Sequence, residues 1–75
     1  MIEKKIRLSD TEEVKDFVRT AGKCDFDIDV FYYRAVIDAK SLLGMLYLGI
    51  GNELTIRYSG NVDYFEKNIQ KYAVC

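Results

Sequence analysis

The sequence predicts an α+β domain: a four-stranded antiparallel sheet with three helices on one face, in the order β-α-β-β-α-β-α. Three observations carry this. Apolar and polar residues alternate in three short segments, at Ile2–Leu8, Phe26–Val30 and Leu54–Tyr58, and a further strand is read at Ala35–Ala39. Between and after them, apolar residues recur at helical spacing. No linker, repeat or low-complexity tract interrupts the string, so residues 1–75 are read as a single domain around one core.

Each element has its own signature. Ile2, Ile6 and Leu8 fall on one side of the first strand, with Glu3, Lys5 and Arg7 on the other. Ser9 followed at three residues by Glu12 predicts a capping box that opens the first helix. Val14, Phe17, Val18 and Ala21 form that helix's inner stripe, and Gly22-Lys23 ends it. Phe26, Ile28 and Val30 then alternate with Asp25, Asp27 and Asp29. The turn into the third strand, near Tyr33-Arg34, lacks the Gly or Asn usual in a tight hairpin, which predicts a strained or longer connection. Gly49, Gly51 and Asn52 close a short second helix. Leu54, Ile56 and Tyr58 alternate with Glu53, Thr55 and Arg57 in the fourth strand. Asn61 is placed to cap a last helix that turns Phe65, Ile69, Tyr72 and Ala73 to one side.

The second helix is the anomaly. Begun at Ser41, it carries Met45 and Leu48 on the face of the small Gly44, and a second apolar set at Leu42, Leu43, Leu46 and Tyr47. At about 100° per residue these sets point in different directions. A short helix on a small sheet buries one stripe, so the other is expected to be wet or to meet a partner. The competing reading is a helix buried all round.

Composition narrows the function classes. By size scaling, a chain of 75 residues buries about 60% of its unfolded surface, and 49% hydrophobic content suffices for that core without metals or staples. Eleven basic and twelve acidic residues nearly cancel, which leaves no basic field for nucleic acid. No apolar run approaches the roughly 20 residues that span a bilayer, and no signal peptide is expected. Cys24 and Cys75 match no metal spacing and read as reduced thiols of a cytoplasmic protein, with a disulfide as the alternative. Asp25, Asp27 and Asp29 read as a solvated strand face, since a calcium loop needs a Gly turn and a distal Glu. Gly49-x-Gly51 reads as a turn, not a phosphate loop. Tyr32, Tyr33 and Tyr47 fall off the core spacing and form a possible aromatic contact patch. No cofactor and no metal is expected.

The segment Asp38-Ala39-Lys40-Ser41-Leu42-Leu43-Gly44-Met45-Leu46-Tyr47-Leu48-Gly49 resembles the HPr phosphocarrier proteins of the bacterial sugar phosphotransferase system. In that family a hydrophobic strand leads into Lys-Ser-Ile-Met-Gly-Val-Met-Ser-Leu-Gly. Lys40-Ser41, Gly44 and Leu48-Gly49 are identities, with apolar swaps at Leu42, Leu43, Met45 and Leu46. The likeness continues upstream at Val18, Thr20-Ala21, Lys23, Asp25 and Asp27-Ile28, and downstream at Glu53-Leu54-Thr55-Ile56. It covers residues 14 to 60 and implies the HPr-like open-faced β-sandwich.

The phosphocarrier signature itself is missing. The family's Gly-(Leu/Ile)-His-Ala-Arg-Pro-Ala stretch holds the histidine that carries the phosphoryl group. Here the interval reads Leu8-Ser9-Asp10-Thr11-Glu12-Glu13-Val14, and the chain has no histidine. Ungapped counting from the first helix puts Asp10 at the histidine and Glu12 at the arginine. A phosphoramidate needs an imidazole nitrogen and a nearby cation. Phosphoryl carriage on histidine is therefore ruled out, and the chain is not read as an enzyme. Asp10 as an acyl-phosphate acceptor is opposed by Glu12 and Glu13.

Ser41 reads in two compatible ways. It is a helix cap, and it is a candidate phosphorylation site, where a phosphate would meet unpaired N–H groups and the positive helix end. In HPr proteins of Gram-positive bacteria the matching serine is phosphorylated by a dedicated kinase. The modified protein then joins a transcriptional regulator in carbon catabolite repression. The resemblance thus implies a histidine-less regulatory relative, with HPr kinase or such a regulator as partner. It places Leu42, Leu43 and Leu46, with neighbouring Tyr47, on the docking surface. Two alternatives stand beside it: a divergent phosphocarrier using Asp10, and a structural homodimer seamed by the exposed leucines.

Overall fold

The alternating segments assemble into one antiparallel sheet. The structure, a computed structural model, describes residues 1–60 and 63–74. Its elements are β1 (Ile2–Arg7), α1 (Thr11–Gly22), β2 (Ile28–Tyr32), β3 (Ala35–Asp38), α2 (Leu42–Leu48), β4 (Glu53–Tyr58) and α3 (Asp63–Ile69), followed by a 3-10 turn over Gln70–Tyr72. Strand order is β1-β4-β2-β3, every neighbour antiparallel. The predicted α+β, HPr-like open-faced sandwich is the observed architecture.

The alternation dictates the layers. Ile6, Leu8, Ile28, Val30, Leu54, Ile56 and Tyr58 are buried on the helix side, where Val14, Phe17, Ala21, Met45, Phe65 and Ile69 meet them. Removing these side chains from water is the main force holding the domain together. The opposite sheet face carries polar residues in register. Glu3 and Arg57 are paired across β1 and β4 and joined by an ion pair of 2.8 Å, while the Arg57 guanidinium lies 4.6 Å from the Phe31 ring centre.

Several local expectations shift. The capping residue of α1 is Asp10, whose Oδ1 accepts from the Glu13 N–H at 2.9 Å, while the Ser9 N–H donates to Glu13 Oε1 at 2.7 Å. The box sits one residue later than Ser9 and Glu12, because Leu8 is buried and bridged to Ile50, holding the chain extended through that point. Thr20, not Val18, completes the buried stripe. Its hydroxyl donates to the Asp16 carbonyl at 2.9 Å, which makes its burial tolerable. The β2–β3 connection is strained but not longer. It is a two-residue turn closed by the Tyr32–Ala35 pair, with Tyr33 at φ 54. The Tyr32 and Tyr33 rings meet edge-on at 4.6 Å, a contact that offsets part of the left-handed cost.

The last helix is also shorter than its apolar spacing suggests. After Ile69 the chain tightens into the 3-10 turn, which brings Tyr72 inward. Ala73 is then extended and exposed, bridging to Ile6, and the Val74 N–H donates to the Lys5 carbonyl at 2.9 Å. The predicted inner position of Ala73 is thus corrected: it covers the edge of β1. The proposed cap at Asn61 and the thiol of Cys75 lie outside the described residues.

Candidate functional site

The geometry of α2 begins in the turn before it. The Lys40 N–H donates to Asp38 Oδ1 and the Ser41 N–H to the Asp38 carbonyl, both at 2.9 Å. This leaves Ser41 extended (φ -91, ψ 103), ready to cap. Its Oγ accepts from the Gly44 N–H at 3.4 Å, a long bond, and its carbonyl accepts from the Met45 N–H at 3.0 Å. Ser41 is exposed. The Lys40 ammonium does not reach towards it: Nζ donates to the Cys24 carbonyl at 2.9 Å, tying the end of α1 to the start of α2. Cys24 itself is buried, with its thiol pushed up by burial, and so is set aside as a reactive group.

Two glycines fix the helix. A Cβ at Gly44 would stand 2.8 Å from Ile37 Cγ2, so α2 lies directly on β3. A Cβ at Gly49 would collide with the carbonyl of Met45 in the same helix, which the Gly49 N–H meets at 2.6 Å, so Gly49 closes the helix where Gly44 seats it. Asn52 Nδ2 satisfies the Leu48 carbonyl at 2.8 Å, and Gly51 turns the chain at φ 77. The helix is short, but both ends are held.

The two apolar sets part as their angles require. Met45 is fully buried and Leu48 half-buried. On the other side Leu43 is 82% exposed, Tyr47 86% and Leu42 40%. Leu43 and Tyr47, four residues apart, are neighbours on the helix surface. Leu46 differs from the other three: it is half-buried and packs on the core. Ile50, 40% exposed just beyond the helix, extends the apolar surface. Sequence reasoning passed over it because it sits between two turn glycines, outside any periodic segment. Tyr47 does not join Tyr32 and Tyr33; among the described residues those two rings pair with each other and with no further ring, and Tyr32 also packs on the core.

Asp10 and Glu12 lie apart from this surface, at the start of α1. Asp10 is exposed, its carboxylate engaged as the cap, and among the described residues it has no ion-pair partner. Glu12 and Glu13 place two more negative charges in the same turn. Among the described residues, no group of three or more acidic or cysteine side chains is arranged to hold a metal ion, and no helix is long and apolar enough to cross a membrane.

No protein-family model and no curated protein matches the chain. Solved structures do. One is described as the crystal structure of HPr-C-His from Thermoanaerobacter tengcongensis, which superposes with a TM-score of 0.74 at 24% identity, over 95% of this chain and 93% of that one. The polypeptide therefore has the HPr fold over nearly its whole length.

Proposed function

We propose that this domain is a non-catalytic, HPr-like regulatory protein that docks other proteins through α2, with Ser41 as the switch. One observation carries the reading: Leu43 and Tyr47 stand in solvent side by side on a helix that is otherwise anchored by Met45 and Gly44. Large apolar groups on a rigid support lose little freedom on binding, which makes them efficient anchors. Ser41 adjoins this surface and is accessible. A phosphate there adds charge of about -2 beside Leu42 and Leu43. Asp38 stands on the same turn and Lys40 is occupied with Cys24, so that charge is directed outward to a partner's cation, not neutralised within the domain.

The arrangement at Asp10 supports the non-catalytic half of the reading. A carboxylate engaged as a helix cap and flanked by two glutamates repels an incoming phosphoryl group. By analogy with HPr, the partners are an HPr kinase and a transcriptional regulator of carbon catabolite repression. Labelling tests both halves. With HPr kinase and labelled ATP, Ser41 is expected to take up phosphate and Ser41→Ala none. With the general phosphotransferase enzyme and labelled phosphoenolpyruvate, no label is expected. Label transferred to Asp10 from phosphoenolpyruvate overturns the proposal in favour of a divergent carrier.

A further inference from the structure

Arg7 and Glu53 stand directly across from each other on β1 and β4, yet among the described residues no ion pair joins them. Opposite charges facing across an antiparallel pair ordinarily attract and stabilise it. Here each has turned aside. Arg7 Nη1 donates to the Gly51 carbonyl at 3.3 Å, in the turn before β4. Glu53 Oε1 lies 3.8 Å from Lys5 Nζ, a loose contact between two exposed groups. The two charges are left side by side in the wall of a cleft at this end of the sheet.

The cleft also has an aromatic wall. The β2–β4 register ends at Phe31–Thr55, and the next position of the same parity sets Tyr33 beside Glu53. Arg7, Glu53 and Tyr33 thus form a row across the sheet, with strand positions about 4.8 Å apart. All three line one cleft of about 450 Å³, bordered by Gly51 and Asn52. Small-ligand sites are typically about 300–1,000 Å³. Tyr33 stands there in a left-handed conformation, φ 54, which disfavours any side chain and which Gly or Asn would adopt more readily. Its ring is 89% exposed, so burial does not explain the choice. Tyr32, packed on the core, braces that ring edge-on at 4.6 Å. Backbone strain at the rim of a cleft points to a ligand.

We infer that this cleft binds a free aromatic α-amino acid as its zwitterion. The order cation, anion, ring along the row matches the ligand's carboxylate, ammonium and side chain. Arg7 donates N–H groups to the carboxylate, Glu53 accepts from the ammonium, and the braced Tyr33 ring packs on the ligand's ring. A simple anion or cation meets a like charge beside its partner. A peptide carries its terminal charges on different residues, whereas a free α-amino acid presents both from one carbon. This goes beyond the docking proposed for α2 and does not depend on it.

Titration with L-phenylalanine, followed by the backbone amide NMR signals, tests the inference. Saturable shifts are expected at Tyr33, Gly51 and Asn52. L-alanine lacks the ring, 3-phenylpropionate the ammonium and phenethylamine the carboxylate, and each is expected to bind at least about tenfold more weakly. Arg7→Gln and Glu53→Gln are each expected to weaken phenylalanine binding by a similar factor. Tyr33→Gly is expected to weaken it too while the melting temperature holds or rises, since glycine relieves the strain. Absence of saturable shifts up to the solubility limit of phenylalanine overturns the inference. So does equal binding of 3-phenylpropionate or of phenethylamine, which removes the zwitterion, and so does undiminished binding by Tyr33→Gly.

Discussion

Gly44 shows how closely one residue controls the candidate surface. Its hydrogen lets α2 rest against Ile37, and any larger side chain must move one or the other. Gly44→Ala is expected to cost about 1–3 kcal/mol by overpacking. Trimming the opposing side chain relieves the contact, so in Gly44→Ala with Ile37→Ala the two costs add to less than their sum, with a coupling of about 0.5–2 kcal/mol. Urea denaturation of the four proteins measures this cycle. Strict additivity contradicts the account of how α2 is seated. Not all of this was legible from residues alone. The face shared by Gly44, Met45 and Leu48 and the cap at Ser41 follow from spacing. The partial burial of Leu46 does not, because angle alone cannot say how far a short helix overhangs its sheet. The choice of Asp10 over Ser9 as cap escaped for a similar reason: both residues can cap, and the burial of Leu8 decides between them.

Elements are tied to one another by a small number of polar contacts, and the clearest joins α1 to the 3-10 turn. The Tyr72 hydroxyl donates to Asp16 Oδ2, and Lys71 Nζ approaches the same oxygen at 3.1 Å. The Tyr72 hydrogen bond, followed by Lys71 and Arg19, holds the Asp16 carboxyl below its ordinary range against a desolvation that raises it. A carboxyl lowered in the folded state stabilises the fold above its unfolded pKa, about 3.9, and that contribution is lost as pH falls through the lower folded value. Burial first, and then Asp16, push the Tyr72 phenol up, so the same contact also weakens on the alkaline side, above about pH 10. Tyr72→Phe is expected to cost about 1 kcal/mol at neutral pH and to flatten the acid limb of stability below about pH 4. Stability curves unchanged at both ends contradict the assignment. The spacing of Phe65, Ile69 and Tyr72 gave no warning that the helix ends before Tyr72. Tightening into a 3-10 turn keeps the inward direction that a helix predicts, while Ala73 leaves to pair with β1.

At the scale of the whole molecule, the fold was readable because the sheet buries one face only. That forces the alternation seen at Leu54, Ile56 and Tyr58, and the helical stripes of α1 and α3 supply the matching cover. The cover over the β1 edge was not readable, since pairing of Ala73 and Val74 with β1 is a long-range event with no local pattern. The open surface of α2 was readable in outline, as a second apolar set with nowhere to go. Its exposure on a firmly seated helix is the observation on which the proposed docking role rests. Calorimetric titration of the Ser41-phosphorylated protein into the transcriptional regulator of catabolite repression tests this most directly, with the doubly substituted Leu43→Glu, Tyr47→Glu protein as comparison. Binding by the native surface and a loss of at least about tenfold in the double variant, at unchanged fold stability, is the predicted result. Equal affinity of the two proteins contradicts it.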